Sequence, residues 1–284
     1  MLNSTRLRQL LAAPELTRAA GAHDGLGAAL AEEAGFEAVW ASGLGLSAAR
    51  ALPDASVLSM AEILQASVAM SRACSLPVVA DCDTGFGGVL NVAHMVREFE
   101  AAGIAAVCIE DKVFPKVNSF AEHAQPLAPV AEFCHRVEVA KSVQRTADFA
   151  VIARTEAYIA GMDTAEALRR ARAYADAGAD ALLVHSKSAG PEQIEDFLAG
   201  WDRPLPVVAV PTTYHGWPAA AARDAGVSMM IYANQGLRAT VTAVRAALET
   251  IIAEGSSASI EPRLASVKDV FALQRLDEWM ALER

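Results

Sequence analysis

Short apolar runs alternate with longer amphipathic, alanine-rich segments from about Ala19 onward. This is the pattern of repeated strand–helix units rather than of separate β and α blocks. It predicts a weak strand at 20–23, then strands at 37–42, 77–83, 105–111, 150–155, 181–185, 204–211 and 228–233. Helical periodicity fills 26–34, 60–73, 89–102, 130–144, 165–177 and 237–254. Gly35, Gly103, Gly178 and Gly226 each follow an alanine just ahead of a strand, where glycine supplies a left-handed helix stop. Runs such as Pro-Leu-Pro-Val-Val-Ala-Val are apolar on both faces, as strands of a buried parallel sheet are. Eight such units predict an α/β protein, a (β/α)8 barrel in preference to an open sheet, forming a single domain over 1–284. Residues 256–263 are polar and turn-rich and 266–283 return to a helical pattern, so 256–284 reads as a C-terminal helical extension.

Composition agrees with a large buried core. Of 284 residues 53% are hydrophobic, and barrels of roughly 250 residues form one domain. The formal charge of −10 argues against nucleic acid or an anionic membrane as partner; an anionic small-molecule substrate must be held by local cations. Cys74, Cys82, Cys108 and Cys134 form no CxxC pair and read as reduced, buried thiols. Arg6 and Arg8 are not followed by the apolar run of roughly 7 to 15 residues that a secretory signal needs. No stretch approaches the roughly 20 apolar residues of a membrane span. A cytoplasmic protein is expected.

Barrel enzymes carry their chemistry at the C-terminal ends of the strands, and the polar residues here gather there. Trp40, Ser42 and Gly43 end one strand, Asp81 to Gly85 another, Glu110 to Lys112 a third, Arg154 to Glu156 a fourth, and His185 with Ser186 a fifth. Asp81 and Asp83, at i and i+2, share one strand face, and Glu110 ends the next strand, so the three are metal candidates. Oxygen ligands with no His or Cys cluster favour magnesium or manganese over zinc; the alternative is helix capping or pairing with Lys112. Arg154 either grips an anion through its planar fork or pairs with Glu156 or Glu110. His185 either contacts a phosphoryl oxygen or transfers a proton, or is satisfied structurally. The turn Gly85-Phe86-Gly87-Gly88 lacks the GxxxxGK[ST] pattern and is a weak phosphate signal. Residues 110–120 are too polar and irregular to continue the barrel; as a closing loop they would bring Lys116 and Asn118 to an anion and exclude water, and otherwise they form a solvated loop.

Glu110-Asp-Lys-x-x-Pro-Lys-x-Asn-Ser119, Trp40-x-Ser-Gly-Leu44, Asp81-x-Asp-Thr-Gly85, Ala153-Arg-x-Glu156, His185-Ser-Lys187, Val210-Pro-Thr212 and Ala233-Asn234 follow in order. Over nearly the whole chain this resembles the phosphoenolpyruvate mutase branch of the isocitrate lyase superfamily, with 110–119 as its gating loop. The resemblance implies magnesium, with manganese as a substitute, held by Asp81, Asp83 and Glu110 directly or through water. Backbone amides of Gly43 and Leu44 would take the substrate carboxylate. Ser42, Arg154, His185 and Asn118 would surround a travelling phosphoryl group, with Asp54 nearby, Lys116 brought in by loop closure, and Trp40 and Ser119 also lining the substrate pocket. The family reaction interconverts phosphoenolpyruvate and phosphonopyruvate; whether through a covalent Asp54 phosphoenzyme or a metaphosphate-like group stays open.

The carbon–carbon lyases of the superfamily carry a Lys-Lys-Cys-Gly-His loop, and no Lys-Lys-Cys occurs here. Phosphonopyruvate hydrolases have a similar loop with threonine at the Asn118 position, so asparagine favours the mutase, with the hydrolase as alternative and a lyase or 2-oxo acid decarboxylase behind it. Two departures bear on that reading. Ser47-Ala-Ala-Arg-Ala-Leu-Pro53 replaces the mutases' Ser-x-Gln-Leu-Gly, and Phe120 replaces leucine; both could alter the loop's fit or the substrate. The resemblance also implies a homotetramer, a dimer of dimers that exchange their last barrel helices.

Overall fold

A computed structural model describes residues 2–283 of the chain. Its parallel strands are β1 (Thr17–Ala22), β2 (Ala38–Ala41), β3 (Val78–Asp81), β4 (Ala106–Glu110), β5 (Ala150–Thr155), β6 (Ala181–Val184), β7 (Val207–Ala209) and β8 (Val227–Tyr232), and they close into a barrel in sequence order. Each strand falls within or coincides with a predicted apolar run, apart from β1 and β8, which start three residues and one residue earlier than expected. β7 is the most trimmed: Pro204 and Pro206 have no N–H to donate to a ladder, so pairing begins at Val207.

Helices α1 (Asn3–Ala12), α2 (Gly25–Glu33), α3 (Gly43–Ala48), α4 (Met60–Ala73), α5 (Val89–Ala101), α6 (Val130–Val143), α7 (Thr164–Asp176), α8 (Glu192–Gly200) and α9 (Ala219–Ala225) accompany the strands. Gly35, Gly103, Gly178 and Gly226 all have positive φ, between 81° and 108°, as the helix-stop reading requires. The core has two layers. One lies between sheet and helices; the other fills the barrel with Ala19, Trp40, Val79, Cys108, Ile152, Leu183, Val208 and Met229. Leu7 and Leu11 of α1 join that inner layer, so α1 packs against the barrel's interior side chains. Burying the inner layer on both sides excludes water from the strands and makes their C-terminal ends a rigid platform for polar groups.

The chain divides into two compact units, one ending at Asn234 and the other beginning at Gln235. The second holds α10 (Gln235–Glu254), a 3-10 turn at Glu261–Arg263, α11 (Val267–Leu273) and α12 (Leu276–Ala281). The helical pattern expected over 266–283 is therefore two short helices, interrupted at Arg275, whose φ is 55°. Among the described residues no helix is long and apolar enough to cross a membrane. Cys82 and Cys108 are buried free thiols, and Cys74 and Cys134 are half-buried.

Candidate active site

A cavity of about 500 Å3, counting its open mouth, lies at the C-terminal end of the strands. Trp40, Ser42, Leu44, Asp54, Asp81, Lys116, Asn118, Ser119, Phe120, Arg154 and His185 line it, so the structure brings most of the sequence candidates together. Val210, Thr212, Ala233 and Asn234 complete the wall; the sequence marked these four as motif positions but gave them no role. The turn at 85–88 does not line the cavity.

The strand ends place the charged groups. Asp81 closes β3, and its Oδ2 accepts the Gly43 N–H at 3.3 Å. Asp83 lies beyond the strand in a left-handed turn with φ 50°, so its carboxylate arrives by turn geometry rather than by the strand alternation inferred from the sequence. Ser42 caps α3, its Oγ accepting the Gly45 N–H at 3.2 Å.

Asp54, in the segment between α3 and α4, meets the loop after β4. Lys116 Nζ donates to Asp54 Oδ1 at 2.6 Å and stands 3.1 Å from Asp83 Oδ1. Asn118 Nδ2 donates to Asp54 Oδ2 at 2.6 Å, while its Oδ1 accepts the Phe120 N–H at 3.0 Å. The loop is thus docked over the cavity, not solvated. Burial pushes the Asp54 carboxyl up, but Lys116 and Asn118 outweigh it and hold its pKa below the ordinary value. For Asp83 burial wins over Lys116, aided by Asp81, Glu110 and Asp54, and its pKa is pushed up to about 7.

Glu156 organises the opposite wall. Fully buried, it accepts from Arg154 Nε at 2.5 Å and lies 2.8 Å from His185 Nδ1 through Oε1, and pairs with Lys112 at 3.1 Å through Oε2. Burial raises its pKa, but Arg154, His185 and Lys112 together hold it well below the usual range. Arg154 also reaches Glu110 at 3.1 Å and His185 Nδ1 at 2.8 Å. Arg154 therefore pairs with Glu110 and Glu156 and at the same time lines the cavity. Burial, and then Arg154, lower the His185 pKa against the pull of Glu156. One Nδ1 cannot both donate to Glu156 and accept from Arg154; because the carboxylate can only accept, the Nδ1–H tautomer fits, leaving Nε2 as the other ring nitrogen. Phe120 packs edge-on against the His185 ring, with centroids 5.8 Å apart.

Sequence reasoning gave Glu156 no role beyond pairing with Arg154 and did not find the buried group behind it. Asp111 accepts the Glu156 N–H at 2.8 Å, Tyr174 Oη at 2.6 Å and Arg170 Nη1 at 3.1 Å. Its only sequence signal was Asp111 itself, at the end of an apolar run.

Among the described residues no three His, Cys, Asp or Glu side chains stand together as a complete metal cage. Their mutual repulsion is relieved here by Lys116 beside Asp83 and by Arg154 beside Glu110. Two observations nonetheless suit magnesium. Asp81 Oδ2 and Asp83 Oδ1 both lie within 3.5 Å of where a Cβ on Gly43 would stand, so the glycine gives the two carboxylates room to converge. Glu110 Oε1 is buried without a hydrogen-bond partner, and Asp83 Oδ1 has only its ion pair with Lys116 at 3.1 Å. Magnesium keeps several waters and takes one or two carboxylates plus substrate oxygens, so it does not need a full protein cage.

A profile of the family described as phosphoenolpyruvate phosphomutase matches residues 7–252. The phosphoenolpyruvate phosphomutase of Tetrahymena pyriformis is 43% identical over 97% of this chain and 92% of its own length. A crystal structure of phosphoenolpyruvate phosphomutase from Streptomyces platensis subsp. rosaceus superposes with a TM-score of 0.97 at 55% identity, covering 99% of this chain and 98% of that one. A phosphonopyruvate hydrolase in complex with oxalate and magnesium superposes with a TM-score of 0.95 at 40% identity, covering 100% and 98%.

Proposed function

The chain belongs to the phosphoenolpyruvate phosphomutase family, and we propose from that premise that it interconverts phosphoenolpyruvate and phosphonopyruvate by moving one phosphoryl group within a single enolpyruvate. The P–O bond to the enol oxygen breaks as the P–C bond to the methylene carbon forms, or the reverse, and no water is consumed. A site for this needs cations for a phosphoryl group, a fixed seat for the oxo acid, and exclusion of water.

The observation that carries the mutase over the hydrolase is the orientation of Asn118. The Phe120 N–H can only donate, so the amide oxygen faces it, and the Nδ2 group points along the cavity wall to Asp54. Asn118 thus offers the cavity N–H donors for phosphoryl oxygens and no hydroxyl to orient a water. Arg154 supplies positive charge held by Glu110 and Glu156. His185 is turned by Glu156, and when the anionic substrate draws a second proton onto the ring its Nε2–H can donate to a phosphoryl oxygen. Lys116 and Asn118 tie the loop to Asp54, and Phe120 covers the imidazole. The Gly43 and Leu44 amides, beside Trp40 and Ser42, seat the substrate carboxylate. Magnesium, which Asp81, Asp83 and Glu110 would hold directly or through water, would neutralise charge on the oxo acid.

Phosphorus-31 NMR of the protein with magnesium and phosphonopyruvate tests this reading. Phosphoenolpyruvate is the expected product; inorganic phosphate with pyruvate would replace the mutase by the hydrolase. For assembly, a homotetramer of helix-exchanging dimers is supported by the stripe Val241, Val244, Leu248 and Ile252, which α10 leaves exposed. A monomer in sedimentation would overturn it.

A further inference from the structure

The 113–126 loop is held by two separate polar latches. The first, at Asp54, uses Lys116 and Asn118. The second uses Lys112, which is 1% exposed and does not line the cavity. Its ammonium reaches the Val117 carbonyl at 2.9 Å, Ser119 Oγ at 2.7 Å and Glu156 Oε2 at 3.1 Å. An ammonium has three donors, and these are three acceptors, so none remains for a substrate. Ser119 is equally committed: its proton goes to Glu156 Oε2, and its lone pairs take Lys112 and, at 3.2 Å, Arg154 Nη2.

From this geometry we propose that Lys112 is a positioning residue that couples docking of the loop to the placement of Arg154 and His185, acting through Ser119 and Glu156. The two ends of the loop are already pinned by the Lys112–Leu127 bridge and the Val113 N–H to Pro126 carbonyl bond. What must be fixed is the tip, and packing does little of it: Phe114 and Phe120 are each about 40% exposed. A second cavity, lined by Lys112, Pro115, Val117 and Gln125, lies behind the loop. Polar contacts therefore set the tip, and at Glu156 they share one carboxylate with the groups that face the substrate. When the tip lifts, Ser119 leaves, Arg154 Nη2 loses an acceptor, and Glu156 loses a donor on the side opposite His185.

The test uses the full chain with Lys112→Met, which keeps the stem and removes the charge, and independently Ser119→Ala, which breaks the same relay with a smaller change. Hydrogen exchange of the 113–126 peptide, without metal or substrate, is expected to quicken about fivefold or more in both variants while the barrel strands keep their protection. With phosphonopyruvate, kcat should fall about tenfold or more with KM little changed, as for a displaced catalytic geometry. The double variant should be no worse than the poorer single, because both act on one relay. Wild-type exchange of the loop in Ser119→Ala, or additive losses in the double variant, would overturn the proposal, and Ser119→Ala decides it if Lys112→Met loses protection throughout. Only the turnover arm rests on the mutase reading. If the wild type releases phosphate, that reading fails while the exchange arm still decides the role of Lys112.

Discussion

Asn118 and Asp54, 64 residues apart in sequence, are joined twice: Asn118 Nδ2 to Asp54 Oδ2 at 2.6 Å, and the Asn118 backbone N–H to the Asp54 carbonyl at 2.9 Å. The side-chain bond carries the charge of Asp54, whereas the backbone bond only sets distance. Replacing Asn118 by aspartate keeps size and removes the donor, placing two carboxylates against each other. Asn118→Asp should therefore cost about a hundredfold or more in kcat/KM, in the range of a lost charge-stabilising donor. Asp54→Asn in the Asn118→Asp background should restore docking of the loop, read by hydrogen exchange, without restoring turnover, because the pairing is regained with donor and acceptor exchanged. Full activity of Asn118→Asp would remove Asn118 from the phosphoryl site.

Asp81→Ala separates metal from fold. Asp81 is half-buried and accepts only a long bond from Gly43, so the barrel should tolerate its loss. Calorimetry should show magnesium binding abolished or weakened by about tenfold or more, of the order of losing one carboxylate contact, and turnover should fall with it. Unchanged magnesium affinity would place the ion elsewhere.

Gly21 in β1 gives a stability test at the seam where the barrel closes. A Cβ there would stand 2.0 Å from the Ala233 carbonyl oxygen, and the obstacle is backbone just beyond β8, where the barrel closes. Gly21→Ala should destabilise the protein by about 3 kcal/mol or more, at the severe end of overpacking. Denaturant unfolding measures it; a loss below about 1 kcal/mol would mean that the β1–β8 seam yields.

Strand and helix periodicity made the barrel legible, because both faces of these strands are buried and their apolar runs are continuous. The four helix-stop glycines fixed the register. α1, α3, α8 and α9 escaped: α1 is polar apart from the leucines it sends into the barrel, and α3 and α9 are too short to show a period. At the site, Asp81, Glu110, Arg154 and His185 were visible as polar residues ending apolar runs. Asp54 was not, since it sits in an irregular segment that only the folded loop brings to the site, and it was reached by resemblance alone. Glu156 was seen but undervalued: sequence spacing shows that it neighbours Arg154, not that it also meets His185 and Lys112.

Lys116 stands between two acids of opposite tendency, and pH can show which of them holds the loop. Asp54 is held below the ordinary aspartate range, so its contribution to docking is full above that range and is lost only as pH falls through its lowered value. Asp83 is pushed up to about 7, so any part it plays is lost already as pH falls through neutrality. The shorter contact, 2.6 Å against 3.1 Å, and the second bond from Asn118 assign the latch to Asp54. Hydrogen exchange of 113–126 in metal-free protein, corrected for the intrinsic rate, should then show constant protection from about pH 8 to 5 and a loss only below about pH 4. A midpoint near 7 would transfer the latch to Asp83, and Asp54→Asn would then leave the profile unmoved.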